Sequence, residues 1–170
     1  EMSKNIPLYG QNKDGDALNK ASNAYRGKLD VKVAGDNTQY VLGKDDCCST
    51  FANHHANGMD ITLPSIDASD AGLWIKIEVA VTVTSSDLVS VTALSGDLLE
   101  GSCILTKATD QVANSVEFAA DESNDLVFSM NGSTTGGLIG SWAKFTANEN
   151  GYWTVEGLLN GSGSLATPFA

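Results

Sequence analysis

Along most of this chain apolar and polar side chains alternate with a period of two. From Leu73 to Val83 the residues Leu73, Ile75, Ile77, Val79, Val81 and Val83 share one parity, and Trp74, Lys76, Glu78, Ala80 and Thr82 share the other. Successive side chains of a β-strand point to opposite faces, so this pattern predicts a strand with one face in a core and the other at least partly wet. A helix would scatter the same groups around its circumference.

The pattern recurs in shorter runs. Leu29–Gly35 predicts a first strand, Asp36-Asn37 a turn and Thr38–Gly43 a second strand, together a hairpin. The stretch from Lys44 reads as a loop with a short strand over Thr50–Ala52 and a turn at Asn57-Gly58. Ile61–Leu63 is a strand stopped by Pro64, and Ser65–Gly72 is a tight corner or single helical turn. Ser85-Ser86-Asp87 is expected to turn the long strand back onto Leu88–Leu94 in antiparallel pairing, and Ser95-Gly96-Asp97 turns again. Runs of about five residues follow in SCILTK, SVEFAA, LVFSMNG, SWAKFTA and GYWTVEG. Regular short strands between Gly, Asn, Asp and Ser signals predict an all-β fold, an antiparallel β-sandwich or barrel with an extended N-terminal arm.

Three parts are expected: an arm over residues 1–28, a β-sandwich body over 29–157 and an apolar tail over 158–170. The arm shows no sustained period, although Ile6–Tyr9 forms a small apolar cluster and Asp16–Tyr25 suits a short helix capped by Asp16. The tail, LLNGSGSLATPFA, carries no charge; Leu158, Leu159, Leu165 and Phe169 are expected to lie on this body or on a neighbouring subunit. One echo stands out within the body, Gly72-Leu73-Trp74-Ile75-Lys76-Ile77 and Gly140-Ser141-Trp142-Ala143-Lys144-Phe145. It reads as two strands entered through the same sort of glycine turn.

At 170 residues the chain suits one domain plus an arm, and its 42% hydrophobic and 18% charged content is that of a folding sequence. Charge is unevenly spread. Residues 1–32 hold six basic and four acidic side chains, a net of +2, whereas the rest holds four lysines against seventeen acids, a net of −13. An acidic body lacks the basic footprint that phosphate contacts need, so no nucleic-acid partner is expected. No run approaches the roughly 18–20 apolar residues of a membrane span, so no membrane partner is expected either. Met2 reads as a cytoplasmic translation start without the apolar core of a signal peptide. Three cysteines, two of them adjacent, are expected to be reduced thiols.

Candidate chemistry is sparse. Asp45, Asp46, Cys47, Cys48, His54 and His55 fall within eleven residues, but adjacent Cys-Cys and His-His pairs lack the spacers that let two side chains turn to one zinc ion. NKDGD lacks the distal ligands of a calcium loop, and NGSTTGGLIGS lacks the lysine of a phosphate loop. No Gly-x-Ser-x-Gly elbow or acyl-transfer triad is present in the sequence. No metal, cofactor or enzymatic activity is therefore expected. Asn131-Gly132-Ser133 and Asn160-Gly161-Ser162 match a glycosylation acceptor but read more simply as turns. For Trp74, Trp142, Tyr152 and Trp153, packing in a core or a subunit interface is favoured over a sugar-stacking platform.

Four segments taken together, ITLPSIDASDAGLWIKI, VTALSGDLLEG, NDLVFSMNGSTTGGLIGSWAKF and GYWTVEGLLNGSGSLATPFA, resemble small virion structural proteins of tailed phages, particularly marine ones: head decoration or cement proteins and related β-domains of tails and fibres. The resemblance spans roughly residues 38–170 and leaves the Cys-Cys and His-His loop aside. It implies a non-enzymatic protein, assembled in the bacterial cytoplasm, that sits as a homotrimer on the outer surface of the virion head and reinforces joints between subunits of the major capsid protein. Lys4, Ile6, Pro7, Leu8, Tyr9 and Lys13 are then the candidates for gripping the capsid. Leu165, Pro168 and Phe169 are the candidates for subunit contacts. The alternatives are a receptor- or glycan-binding module of a tail fibre, or a metal-dependent enzyme in which Cys47, Cys48, His54 and His55 converge.

Overall fold

The computed structural model describes residues 31–34 (backbone only), 39–84, 89–94, 96–107, 114–121 and 123–170. The arm and its candidates Lys4, Ile6, Pro7, Leu8, Tyr9 and Lys13 lie outside the described residues. Eleven strands are described: β1 (Val31–Ala34), β2 (Gln39–Val41), β3 (Ser49–Asn53), β4 (Met59–Thr62), β5 (Trp74–Val79), β6 (Val89–Thr92), β7 (Leu99–Lys107), β8 (Ser115–Ala119), β9 (Val127–Met130), β10 (Trp142–Ala147) and β11 (Trp153–Gly161). Short 3-10 turns lie at Lys44–Asp46 and Ala68–Asp70.

The strands form two open sheets. The larger runs β1-β3-β5-β10-β11-β7-β8 and the smaller β2-β4-β6-β9. The fold is all-β, as the alternation predicts, but the pairing is mixed where an antiparallel arrangement or a closed barrel was expected. β1, β3 and β5 are mutually parallel, as are β2, β4 and β6, and β11 pairs with β7 in parallel over nine residues. Antiparallel pairs join β5 to β10, β10 to β11, β7 to β8 and β6 to β9.

From β1 to β6 the chain therefore alternates between the sheets. The expected β1–β2 hairpin and the expected pairing of Leu88–Leu94 with the long strand do not form. β2 joins β4, and β6 joins β4 and β9. A turn signal marks where a strand ends but does not say which sheet takes the next one.

One core lies between the sheets. Ile75, Ile77, Phe145, Trp153, Val155 and Leu105 supply it from the larger sheet and Met59, Ile61, Val89, Val91, Phe128 and Met130 from the smaller. Phe128 meets Phe145 edge-on at 5.4 Å across the gap, a favoured aromatic geometry. β3 is buried along its whole length although it contains Ser49, Thr50 and Asn53. The Asn53 amide closes on the backbone of His55, donating to its carbonyl at 2.8 Å and accepting from its N–H at 3.3 Å, which satisfies a polar group that burial would otherwise penalise. In the 65–72 corner, Asp67 accepts from the Ser69 N–H at 2.8 Å, and Lys44 reaches Asp70. Buried Asp97 accepts from the Ile66 N–H at 3.1 Å, fastening the same corner from the far side.

Beyond β11 the chain returns to the smaller sheet. Residues 168–170 run antiparallel along β9, with Phe169 opposite Phe128. The tail is thus bound to its own chain as an added strand.

Candidate interaction face

The two Gly-x-Trp-x-Lys segments are neighbours in space. β5 and β10 pair antiparallel with Lys76 opposite Lys144, Trp74 opposite Thr146 and Glu78 opposite Trp142. The register places the motifs about a local two-fold centred on the lysine pair. Their entry turns obey the same symmetry: the Gly72 N–H donates to the Ala147 carbonyl at 2.8 Å, and the Gly140 N–H donates to the Val79 carbonyl at 2.9 Å. Both glycines hold a positive φ, +93° and +87°, the region open to glycine and strained for other residues. On the inner parity, Ile75, Ile77, Ala143 and Phe145 are sealed in the core. Trp74, Lys76, Glu78, Trp142 and Lys144 consequently project from the outer face, each half-buried.

Like charges directly opposite each other in a sheet repel. Here each is neutralised locally. Lys76 pairs with Glu78 at 2.6 Å, and Lys144 pairs with Glu156 of β11 at 3.2 Å. Each ammonium also lies diagonally over the other strand's indole. Lys76 Nζ is 5.0 Å from the Trp142 ring centre and Lys144 Nζ is 6.0 Å from that of Trp74.

The face continues across β11 and β7. Leu158 stands opposite Trp142, and Ile104 stands opposite Leu158. They are 40% and 47% exposed, so three strands contribute one apolar row, with Glu78 at one end and Glu117 of β8 at the other. A shallow hollow of about 270 Å³ opens beside Trp142, lined by Glu78, Val79, Ala80, Gly140 and Ser141. This combination offers indole and aliphatic area with paired charges around it, a surface suited to holding a partner.

Elsewhere the candidates are separated. Cys47 and Cys48 precede β3 while His54 and His55 follow it, so the whole extended length of Ser49–Asn53 separates the two pairs. Cys47 is half-buried, Cys48 is exposed at φ +60°, and both histidines are exposed. Burial pushes the Cys47 thiol up to about 11, with nearby Cys48 and Asp46 adding to it, and burial alone pushes Cys103 up to about 12. Among the described residues no group of three or more His, Cys, Asp or Glu side chains is placed to hold a metal ion.

Both glycosylation-like asparagines are engaged. Asn131 Oδ1 accepts from the Ser133 and Thr135 N–H groups and its amide donates to Thr134 at 2.9 Å. The Asn160 amide donates to the Ile139 carbonyl at 3.2 Å. Trp153 is fully buried and Tyr152 half-buried. Of the tail candidates, Pro168 and Phe169 are buried within this chain and Leu165 is partly buried against its core. The sequence pattern puts Lys76 and Glu78 on the wetter parity of the long strand and Leu158 in the apolar tail, but it does not join them with Lys144 and Ile104 into one face. The Gly-x-Trp-x-Lys echo marks two of these residues, Lys76 and Lys144, and does not itself tell that its two copies pair. Compared with known proteins, the chain matches no family model, no curated protein and no solved structure.

Proposed function

We propose that this chain is a non-enzymatic virion structural protein, a decoration or cement protein that docks on the outside of an assembled phage head. In this reading it acts as a homotrimer with a sandwich-type body and an extended arm, stabilising contacts between subunits of the major capsid protein. The observation that carries the reading is the outer face of the larger sheet. Trp142, Leu158 and Ile104 offer apolar area in a row, with Trp74 on the same face, where Lys76 and Lys144 are already neutralised by Glu78 and Glu156. On a body that carries a net of −13 over residues 33–170, such a face meets another protein with little charge repulsion. The sequence resemblance of residues 38–170, to head decoration or cement proteins and to related tail and fibre β-domains, accords with a virion role of either kind.

The test is capsid co-sedimentation of the full chain with native mass measured in parallel. A trimer that sediments with heads, and loses that binding on Trp142→Ala with Leu158→Ser, is the expected result. A folded monomer that ignores heads overturns it. A second reading, a glycan-binding module of a fibre, is favoured by the half-buried Trp142 indole beside the hollow at Glu78 and Gly140, with Trp74 on the same face. It predicts that Trp74→Ala and Trp142→Ala abolish binding to host polysaccharide while leaving native mass unchanged.

A further inference from the structure

The tail is held in a way that another copy of the chain can reproduce. Its grip on β9 consists of main-chain bonds and one ring. The Ala170 oxygen accepts from the Leu126 and Val127 N–H groups at 2.9 and 2.8 Å, the Ala170 N–H donates to the Val127 carbonyl at 2.9 Å, and the Ser129 N–H donates to the Pro168 carbonyl at 2.8 Å. Phe169 inserts beside Phe128, ring centres 5.6 Å apart, and is 5% exposed. Strand addition of this kind reads backbone geometry and one side-chain pocket, so any copy of the segment fits.

The connection to β11 has few anchors, and Leu165, partly buried against the core, is its one large apolar contact. Ser162, Gly163, Ser164, Leu165, Ala166 and Thr167 are half-buried or exposed. Two backbone bonds hold them, from the Ser162 N–H to the Ser133 carbonyl and from the Ala166 N–H to the Thr134 carbonyl, each 2.9 Å. Gly163 at φ +71° supplies a pivot. Charge permits the exchange. Residues 157–170 carry no charged side chain, whereas residues 33–156 hold a net of −13. Such a tail can approach a like-charged neighbour at little electrostatic cost.

We propose that residues 162–170 form an exchangeable strand, which closes on its own β9 edge in the isolated chain and on the β9 edge of a second copy when copies are brought together. The contacts in the two states are the same, so the balance is set by hinge strain and by the local concentration of neighbours. This goes beyond the capsid reading and does not depend on it.

The experiment uses full-length chains in a Cys48→Ser background. Val127 and Ala170 exchange both backbone bonds, so Val127→Cys and Ala170→Cys together on one chain are expected to close an intrachain disulfide, which checks the geometry. The two single variants, mixed at increasing concentration and then oxidised, are expected to give a linked pair containing one of each. Adding Phe169→Ala to the Ala170→Cys partner should reduce that product at least about tenfold, the loss matching a weakened ring insertion. If the double variant closes but the mixed single variants stay unlinked at every concentration, exchange does not occur. If the double variant does not close, the tail is not seated on β9 and the proposal falls with it.

Discussion

Lys76 and Lys144 face each other across paired strands, and each extends over the other strand's tryptophan, Lys76 over Trp142 and Lys144 over Trp74. Both ammonium groups remain partly solvated, with side chains 26% and 34% exposed, so each cation–π contact belongs at the weak end of its range. A double-mutant cycle with Lys76→Met and Trp142→Ala should give a coupling of about 0.5 kcal/mol. Denaturant melts of the four proteins measure it. A coupling indistinguishable from zero would show that the ring and the ammonium are neighbours without an energetic link.

Phe169 should contribute to stability far more than its place near the end of the numbered chain suggests. Replacing it with alanine removes a buried ring wedged against Phe128 and should cost about 3 kcal/mol. A loss below about 0.5 kcal/mol on urea unfolding would mean the tail adds nothing to the core.

Gly132 tolerates no side chain. A β-carbon there would lie 1.7 Å from the Val83 carbonyl oxygen, and φ is +75°. Gly132→Ala should destabilise by more than about 3 kcal/mol, whereas Gly72→Ala, whose β-carbon meets nothing within 4 Å, should cost about 1 kcal/mol from its positive φ alone. Thermal melts of the two variants should rank in that order.

The thiols should separate kinetically. With Cys47 pushed up to about 11 and Cys103 up to about 12 by burial, both are almost wholly protonated near neutrality, and the thiolate is the reactive form. Iodoacetamide at neutral pH should therefore add one group, at exposed Cys48, before the others react. Mass spectrometry of the time course reads this directly. Rapid triple labelling would mean that both the loop before β3 and strand β7, which carries Cys103, open readily.

The corner at Ala68–Asp70 should loosen in acid. Hydrogen bonds from Ser69 and the neighbouring Lys44 hold the Asp67 carboxyl below the usual carboxylate range. A group with a depressed folded pKa stabilises above its unfolded value of about 4 and loses that contribution as pH falls through the folded value. Stability should accordingly decline on acidification below about pH 4, and Asp67→Asn should flatten part of that decline. Lys44 behaves oppositely: its pKa is raised, chiefly by the hydrogen bond to Asp70, so its contribution is complete below 10.5 and fades in strong alkali.

Strand parity was legible in sequence wherever one face is buried. Ile75, Ile77, Val79 and Val83 were placed inward correctly, whereas Val81, beyond the end of β5, is exposed. The five later runs became β7 to β11, although β8 has no buried residue along its length. β3 was legible only as a short strand over Thr50–Ala52 within a loop, since a strand buried on both faces does not alternate and its polar end residues Ser49 and Asn53 hide its limits. Sheet membership was not legible. The neighbours of β5 are β3 and β10, one parallel and one antiparallel, and no local feature of Trp74–Val79 specifies either. The candidate face was missed for the same reason, because it exists only once Lys76 and Lys144 are brought opposite each other across 68 positions of sequence.

The order of strands in the larger sheet also governs when the protein can finish folding. β10 and β11, the latest in sequence of the strands described in that sheet, occupy its middle between β5 and β7. A chain emerging from the ribosome must therefore keep a gap at the centre of its widest sheet, with β5 and β7 each lacking a partner, until Trp142–Gly161 arrive to close it. Such late, long-range closure favours slow folding and leaves the nascent chain dependent on protection from its neighbours until β10 and β11 are made.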